Sequence, residues 1–289
     1  MYLKFWGTRG SIPVPGSNTL KYGGNTPCIE LRSDDNELFI FDAGTGIRDL
    51  GKSLINEKYD QKIRIFLSHF HWDHIQGIPF FQPLYEEKRE IVFLGESKYE
   101  KSIEDLLSGQ MNSYYFPMDL KDVASKISFE KIESNKNYNF GNFEIQTLSA
   151  NHSSSTLAFK INSVNKSVVY MPDNELKPGN FSEDNIMEMI CAENQGFIDF
   201  CSGADYLIHD SFYDESALKL KKGWGHSDNI TLAYFSLLSK VKNLVLFHYN
   251  PEYNDRKIEE IVNYINNIFS KEKSKISCIA AFEGLRIHF

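Results

Sequence analysis

The chain alternates between short apolar runs typical of buried strands and longer segments whose apolar residues recur at helical spacing. The predicted strands are Tyr2–Trp6, Cys28–Arg32, Leu38–Phe41, Ile63–Leu67, Ile91–Leu94, Ile127–Lys131, Phe143–Leu148, Thr156–Ile161, Ser167–Met171, Tyr206–His209, Leu244–Phe247 and Ile276–Ala280. The predicted helices are Lys98–Ser108, Asp184–Ile198, Asn229–Leu238 and Arg256–Phe269. No repeat or linker rich in proline and glycine divides the chain, so we expect one domain over residues 1–289.

Composition and charge narrow the class of protein. The 289 residues are 42% hydrophobic and 24% charged, which is typical of a globular protein with a sizeable core. The formal net charge of -8 argues against a constitutive nucleic-acid binder, because neutralising phosphates requires clustered Lys and Arg. Four cysteines without a Cys-x-x-Cys pair indicate neither a zinc ribbon nor a disulfide framework. With no signal-like or membrane-spanning apolar segment, we expect a cytoplasmic protein without a membrane partner.

A dense cluster of metal-binding side chains follows the predicted strand Ile63–Leu67. The segment reads His-x-His-x-Asp-His, from His69, His71, Asp73 and His74, and it contains three of the chain's eight histidines. Imidazole nitrogens and carboxylate oxygens suit zinc, manganese or iron, and this spacing lets one short loop supply two neighbouring ions. A solvated polar turn would leave that density unexplained. The motif therefore predicts a metal site at the carboxyl end of a strand.

Later strands also run into residues that can do chemistry. These residues are His152, Asp173, His209, Asp210 and His248. Each one alone is compatible with a turn or cap, but together at successive strand ends they favour a shared site.

Two loops add to this picture. Glycines on both sides of Trp224 suit a mobile, substrate-facing loop ahead of His226, although Ser227 or Asp228 capping a helix would explain the same segment. The stretch Gly44-Thr45-Gly46 does not match a P-loop, and we interpret it as a tight turn that brings Asp42 near the site.

The order of these residues resembles the metallo-β-lactamase superfamily: first the His-x-His-x-Asp-His motif, then His152, Asp173 and His248. The resemblance covers essentially the whole chain. Several segments resemble its phosphodiesterase branch, which contains ribonuclease Z and small-substrate phosphodiesterases: Phe5–Pro13, Tyr22–Thr26, Phe41–Gly46, Tyr206–Phe212, Gly225–Ser227 and Leu246–Tyr249. The resemblance implies an α+β fold, the αββα sandwich of two packed sheets flanked by helices.

The resemblance also implies two divalent ions at one edge of that fold, with zinc favoured over manganese or iron. One ion would be held by three imidazoles, those of His69, His71 and His152. The other would be held by a carboxylate and two imidazoles, those of Asp73, His74 and His248. Asp173 would bridge the ions.

The implied activity is phosphodiester hydrolysis by a hydroxide that the two ions share. His226 would protonate the leaving alkoxide, Asp210 would orient His226, and Asp73 would also orient the hydroxide. Similar openings occur in enzymes that hydrolyse cyclic nucleotides, some of which silence cyclic-nucleotide defence signals. We therefore expect a small phosphodiester substrate, with cyclic nucleotides the favoured class, and we expect a homodimer from the branch. The aromatic residues that could stack on a base are Phe81, Tyr85, Tyr114, Tyr115 and Phe116.

The main alternative is a tRNA 3′ endonuclease of the ribonuclease Z kind. That family usually carries an RNA-gripping arm between its third histidine motif and the bridging aspartate, whereas only residues 153–172 lie between His152 and Asp173. His209-Asp210-Ser211-Phe212 also replaces its usual His-Glu-Ala-Thr. A thioester or lactone hydrolase would leave Asp210 and His226 unexplained. A non-hydrolytic di-iron protein is disfavoured because His71 stands where the flavodiiron pattern has glutamate.

Overall fold

The computed structural model describes residues 1–97, 101–163, 166–177, 185–214 and 223–288. The chain divides into two compact units, which we call the first unit (Met1–Glu133 with Phe282–Phe289) and the second unit (Ser134–Ala281). Each unit contains one seven-stranded mixed sheet accompanied by helices, which agrees with the expected α+β class. The single domain stays a prediction.

The strands of the described residues are β1 (Tyr2–Gly7), β2 (Cys28–Arg32), β3 (Leu38–Phe41), β4 (Ile63–Phe66), β5 (Glu90–Gly95), β6 (Lys126–Lys131), β7 (Asn137–Phe140), β8 (Phe143–Ser149), β9 (Leu157–Ser163), β10 (Lys166–Met171), β11 (Tyr206–Asp210), β12 (Asn243–Phe247), β13 (Ser277–Ala280) and β14 (Arg286–His288). The α-helices are α1 (Ile47–Asn56), α2 (Trp72–Ile75), α3 (Ile103–Ser108), α4 (Ile186–Cys201), α5 (Asn229–Leu238) and α6 (Asp255–Lys271). Short 3₁₀ turns cover Ile78–Phe80, Gln82–Tyr85 and Leu120–Asp122. Among these described helices, none combines the length and apolarity needed to cross a membrane.

The sheet of the first unit has the strand order β14-β1-β2-β3-β4-β5-β6. Strands β3 to β6 are parallel to one another, so their carboxyl ends meet at one edge. All four residues of β3 are buried, as expected for a parallel strand covered on both faces. The loops after β3 and β4 carry Asp42 and the His-x-His-x-Asp-His segment to this edge.

The sheet of the second unit has the order β13-β12-β11-β10-β9-β8-β7, with β10 to β13 parallel. Strand β8 runs in the same direction as β10, because each of them is antiparallel to β9. The carboxyl ends of β8, β10, β11 and β12 therefore lie at one edge. This edge carries His152, Asp173, Asp210 and His248, as the strand-end pattern predicted.

The predicted strands are all present, with boundaries that differ by at most two residues. Helix α5 has the predicted bounds, and α6 is longer than predicted by one residue at its start and two at its end. Two predicted helices begin at Lys98 and Asp184, which lie outside the described residues. In the described ranges these helices are α3, capped by Ser102, and α4.

Besides the four-residue helix α2 and the short 3₁₀ turns, three elements were missed by the sequence patterns. Helix α1 buries Ile47, Leu50 and Leu54, but Gly51 at its centre obscures the helical pattern. A Cβ on Gly51 would lie 2.9 Å from Cδ2 of Phe81, so close packing accounts for this glycine. The other two are β7 and β14, edge strands whose polar, partly exposed sequences lack a continuous apolar run.

Asp205 ties together the amino ends of three neighbouring strands in the second unit. Its carboxylate accepts hydrogen bonds from the backbone N–H of Ser167 in β10 and from Nζ of Lys242 just before β12, both at 2.9 Å. Burial opposes ionisation, but the hydrogen bonds and the charges of Lys242 and Lys166 lower the pKa of Asp205 below its ordinary value.

We expect Asp205→Asn to lower the free energy of unfolding by about 1–3 kcal/mol at neutral pH, because hydrogen bonds to a charged group are lost. A carboxyl whose pKa is lower in the folded state stabilises above its unfolded pKa, and this contribution is lost as pH falls through the folded pKa. The free energies of unfolding of the wild type and Asp205→Asn should therefore converge as the pH falls. Urea unfolding of both proteins from pH 7 into the acid range measures this difference. Asp199→Asn, an exposed aspartate bonded only to Gln195 among the described side-chain contacts, is the matched control. A destabilisation that persists unchanged in acid would contradict the prediction.

Candidate metal centre

The first unit gathers its predicted ligands after β4: His69 and His71 lie in the connection to α2, and Asp73 and His74 lie in α2. The ring centroids of His69 and His71 are 4.4 Å apart, and those of His69 and His74 are 4.2 Å apart. Oδ2 of Asp73 lies 3.4 Å from Nε2 of His74 and accepts a hydrogen bond from the backbone N–H of Ser11 at 2.7 Å. The four residues of the motif therefore form one half-site.

Asp42 orients His74 from the side away from Asp73. It is fully buried with φ of +60°, and its Oδ2 lies 2.8 Å from Nδ1 of His74. Ser68 donates to the Asp42 carboxylate through its backbone N–H and its hydroxyl, at 2.8 and 2.9 Å. A Cβ on Gly44 would lie 2.3 Å from the carbonyl oxygen of Asp73, so the glycine turn permits this close approach. The interpretation of that turn is confirmed.

We expect Asp42→Asn to weaken divalent metal binding by roughly 10- to 100-fold, the usual cost of losing a carboxylate that orients a ligating histidine. The amide can present its NH2 group to Nδ1 and so favour the wrong tautomer of His74. Competition against a chromogenic chelator measures the change. The partly exposed Asp49→Asn is the matched control, and equal affinity of the two variants would contradict the role of Asp42.

The second unit gathers its predicted ligands around the buried carboxylate of Asp173. Oδ2 of Asp173 lies 3.4 Å from Nε2 of His152, and Oδ1 lies 3.2 Å from Nε2 of His248. Nδ1 of His152 donates to the carbonyl oxygen of Gly225 at 2.9 Å. These three residues come from the ends of β8, β10 and β12 and form a second half-site.

The donor atoms of both half-sites fit divalent cations. Nδ1 of His74 donates to Asp42, and Nδ1 of His152 donates to the Gly225 carbonyl. In each ring the other nitrogen, Nε2, therefore keeps its lone pair available to bind a cation. That lone pair faces a carboxylate oxygen 3.4 Å away, from Asp73 in one case and Asp173 in the other. Two acceptors at this distance repel each other, and a cation between them removes the repulsion. The ligand types are those that zinc, manganese and iron accept.

His226 lies beside the second half-site. One of its ring nitrogens lies within 4.8 Å of ligand atoms of Asp173 and His248. The ring stacks on Phe212, with centroids 4.2 Å apart and an interplanar angle of 11°, and Nδ1 lies 3.0 Å from Oδ2 of Asp210. The carboxylate and the stacking ring thus hold His226 in one orientation.

Asp210 is fully buried between two imidazoles. Its Oδ1 lies 2.7 Å from Nδ1 of His209, and its Oδ2 also accepts from the backbone N–H of Ser227 at 3.1 Å. Burial alone would raise the pKa of Asp210, but the adjacent His209 and His226 hold it below its ordinary value. Asp210 is therefore ionised at neutral pH and accepts the Nδ1 proton of His226.

The helix-capping interpretation of this segment is also correct. Oδ1 of Asp228 accepts from the backbone N–H groups of Ile230 and Thr231 and caps α5. Capping by Asp228 and pairing of His226 with Asp210 occur together.

Two residues of the site had no role assigned from the sequence. Phe212 stacks on His226, and Glu175 accepts hydrogen bonds from the backbone N–H groups of Gly223 and Gly225, each at 2.9 Å. Their partners lie far along the chain, and no local pattern indicates them. The prediction that Phe81 could stack on a base is wrong, because this ring is 1% exposed within the hydrophobic core.

Comparison with known proteins supports the same fold. A ribonuclease Z from Picrophilus torridus is 27% identical over 302 residues, covering 93% of this chain and 91% of the relative. The metallo-β-lactamase fold protein YhfI of Bacillus subtilis superposes with a TM-score of 0.69 at 17% identity, covering 99% of both chains. The human short-form tRNase Z gives a TM-score of 0.63 at 19% identity, covering 100% of this chain and 99% of that one.

These similarities confirm the metallo-β-lactamase fold and a ribonuclease Z-like place within that superfamily. A family model described as "Anti-Pycsar protein Apyc1" matches residues 19–199, more than half of the chain. The chain belongs to the Anti-Pycsar protein Apyc1 family.

Proposed function

We propose that this protein is a metal-dependent phosphodiesterase whose two half-sites together hold two divalent ions. His69, His71 and His152 would hold one ion, Asp73, His74 and His248 would hold the other, and the carboxylate of Asp173 would serve both. The oriented Nε2 atoms of His74 and His152, each facing a carboxylate oxygen, support this arrangement. Relatives that carry the name ribonuclease Z support phosphodiester hydrolysis.

When bound, the ions lower the pKa of water toward about 7 and offset the negative charge of the phosphodiester. The chain's own residues then handle the protons. His226 donates a proton to the leaving alkoxide, since it stands beside the ligands Asp173 and His248. Asp210 keeps the donating face of His226 turned to the substrate and stabilises its charged form. Asp73 orients the attacking oxygen.

The proposed substrate is a cyclic nucleotide, and the connection between His152 and Asp173 carries this choice. That connection contains β9 and β10, which pair directly as neighbouring antiparallel strands, with only residues 164–165 outside the description. Two residues are too few for an arm that grips RNA. The net charge of -8 likewise disfavours a polyanionic substrate. The family name, Anti-Pycsar protein Apyc1, supports the same choice through the resemblance to enzymes that silence cyclic-nucleotide signals.

A tRNA 3′ endonuclease is the second candidate, because the relatives named ribonuclease Z align along most of the chain. The deciding experiment assays zinc-loaded and manganese-loaded protein side by side. The substrates are a panel of cyclic purine and pyrimidine nucleotides, a precursor tRNA and an aryl phosphodiester. We expect cyclic-nucleotide turnover to exceed tRNA cleavage. Cleavage of the tRNA at its 3′ end with inert cyclic nucleotides would establish the second candidate instead, and inactivity on all three would overturn the phosphodiesterase.

A further inference from the structure

The loop that precedes His226 has an unusual anchorage within the second unit. Gly223 and Gly225 have φ of +87° and +82°, a conformation that favours glycine at both positions. Their N–H groups converge on Glu175, with Gly223 donating to both carboxylate oxygens and Gly225 to Oε2, each at 2.9 Å. The loop thus wraps an internal carboxylate in the way that a backbone nest binds an anion. This anchorage holds Trp224, between the two glycines, in a defined place.

The same loop packs against a predicted metal ligand. A Cβ on Gly225 would lie 2.1 Å from Nδ1 of His152, and the Gly225 carbonyl accepts from that nitrogen. Trp224 is therefore one residue from the contact with His152, yet its side chain is 60% exposed. The exposed ring is therefore accessible to a ligand that binds beside His152.

A cavity of about 310 Å³ lies alongside this loop. It is lined by Asn151, His152, Ser153, Glu175 and Lys177, together with the two glycines. Amide, hydroxyl and ammonium groups give this cavity the donors and acceptors that a nucleobase or ribose needs. His152 in the wall is a predicted metal ligand, so a molecule bound in this cavity would lie next to the proposed metal site.

We infer that Trp224 stacks on the nucleobase of the substrate while the cavity beside His152 accepts its polar edge. The inference rests on the proposed function and names how that site recognises a nucleotide. Stacking on an indole is available to every base, because each base has a π face. Trp224 accordingly raises affinity for nucleotides in general, and the polar groups of the cavity discriminate among them.

The test compares Trp224→Ala and Trp224→Phe with the wild type on two substrates that differ only in the base. These are a 3′,5′-cyclic nucleotide and its abasic ribose 3′,5′-cyclic phosphate, with hydrolysis followed by phosphorus NMR. We expect Trp224→Ala to raise KM for the nucleotide roughly 5- to 150-fold and to leave KM for the abasic analogue unchanged. Trp224→Phe should recover most of the affinity. Tyr264→Ala removes a 49% exposed aromatic ring from α6 and serves as the matched control.

Two results overturn the inference: an unchanged KM for the nucleotide, or an equal rise for both substrates, which would indicate a structural role or a protein contact. A wild type that does not hydrolyse cyclic nucleotides would overturn the proposed function. The role of Trp224 is then tested separately, by measuring whether the protein binds a nucleoside monophosphate. Because Trp6 and Trp72 remain in the variant, quenching of indole fluorescence by a nucleoside monophosphate should be clearly smaller in Trp224→Phe than in the wild type. Equal quenching in both proteins would show that Trp224 does not stack on bases.

Discussion

Asp173→Asn is expected to lower phosphodiester turnover by at least about 10³-fold, the largest effect of any substitution considered for this protein. The carboxylate lies within 3.4 Å of imidazole nitrogens on both sides, from His152 and His248, and it is 2% exposed. An amide of the same shape has only one oxygen and no charge, so it cannot bridge two cations. We expect bound metal to fall from two ions per chain to one or fewer.

Elemental analysis after gel filtration measures this loss, together with turnover at saturating metal. The matched control is Asp228→Asn, another buried aspartate of the second unit, which caps α5 and has no place in the proposed ligand set. This control should lose stability but keep its metal. If Asp173→Asn retains two ions and wild-type turnover, the bridging role is wrong.

His226→Ala should lower turnover of a cyclic nucleotide by roughly 10²- to 10⁴-fold while both ions stay bound, because a general acid is removed and no ligand is lost. The alkoxide that leaves a ribose is a poor leaving group and needs a proton. A nitrophenolate leaves readily without one. The variant should therefore be far less impaired on an aryl phosphodiester than on the cyclic nucleotide.

This dependence on the leaving group separates proton donation from a structural contribution, which would lower both rates alike. His288→Ala, on the exposed edge strand β14, is the matched control. Loss of an ion from His226→Ala would instead identify His226 as a ligand, since its ring nitrogen lies within 4.8 Å of ligand atoms of Asp173 and His248.

Most of the fold was predictable because a buried strand has a recognisable run of apolar residues in its own sequence. Each apolar run that is buried in a parallel strand, such as Leu38–Phe41, can be recognised from its own residues. Elements whose sequences lack such an apolar pattern were missed. Helix α1 has a glycine where Phe81 packs closely, and β7 is an edge strand whose polar side chains are tolerated by solvent.

The convergence of the predicted ligands in the second unit could be expected for a similar reason. A functional residue that follows a strand is carried by the chain itself to the edge of the sheet. His152, Asp173 and His248 converge in the second unit because β8, β10 and β12 point the same way. The sequence order of strands and ligands was enough to predict that convergence.

The sequence by itself determined which residues can bind metal and which strand ends carry them, since these properties depend on residue type and local burial. Only the tertiary structure decided which partner orients each histidine. Asp42 accepts from His74 across 32 positions, Asp210 accepts from His226 across 16, and Glu175 anchors Gly225 across 50. Such pairs leave no local pattern, because a hydrogen bond depends on the distance in space between its two atoms. The His-x-His-x-Asp-His motif thus indicated a metal site, and the tertiary structure decided how its side chains are oriented.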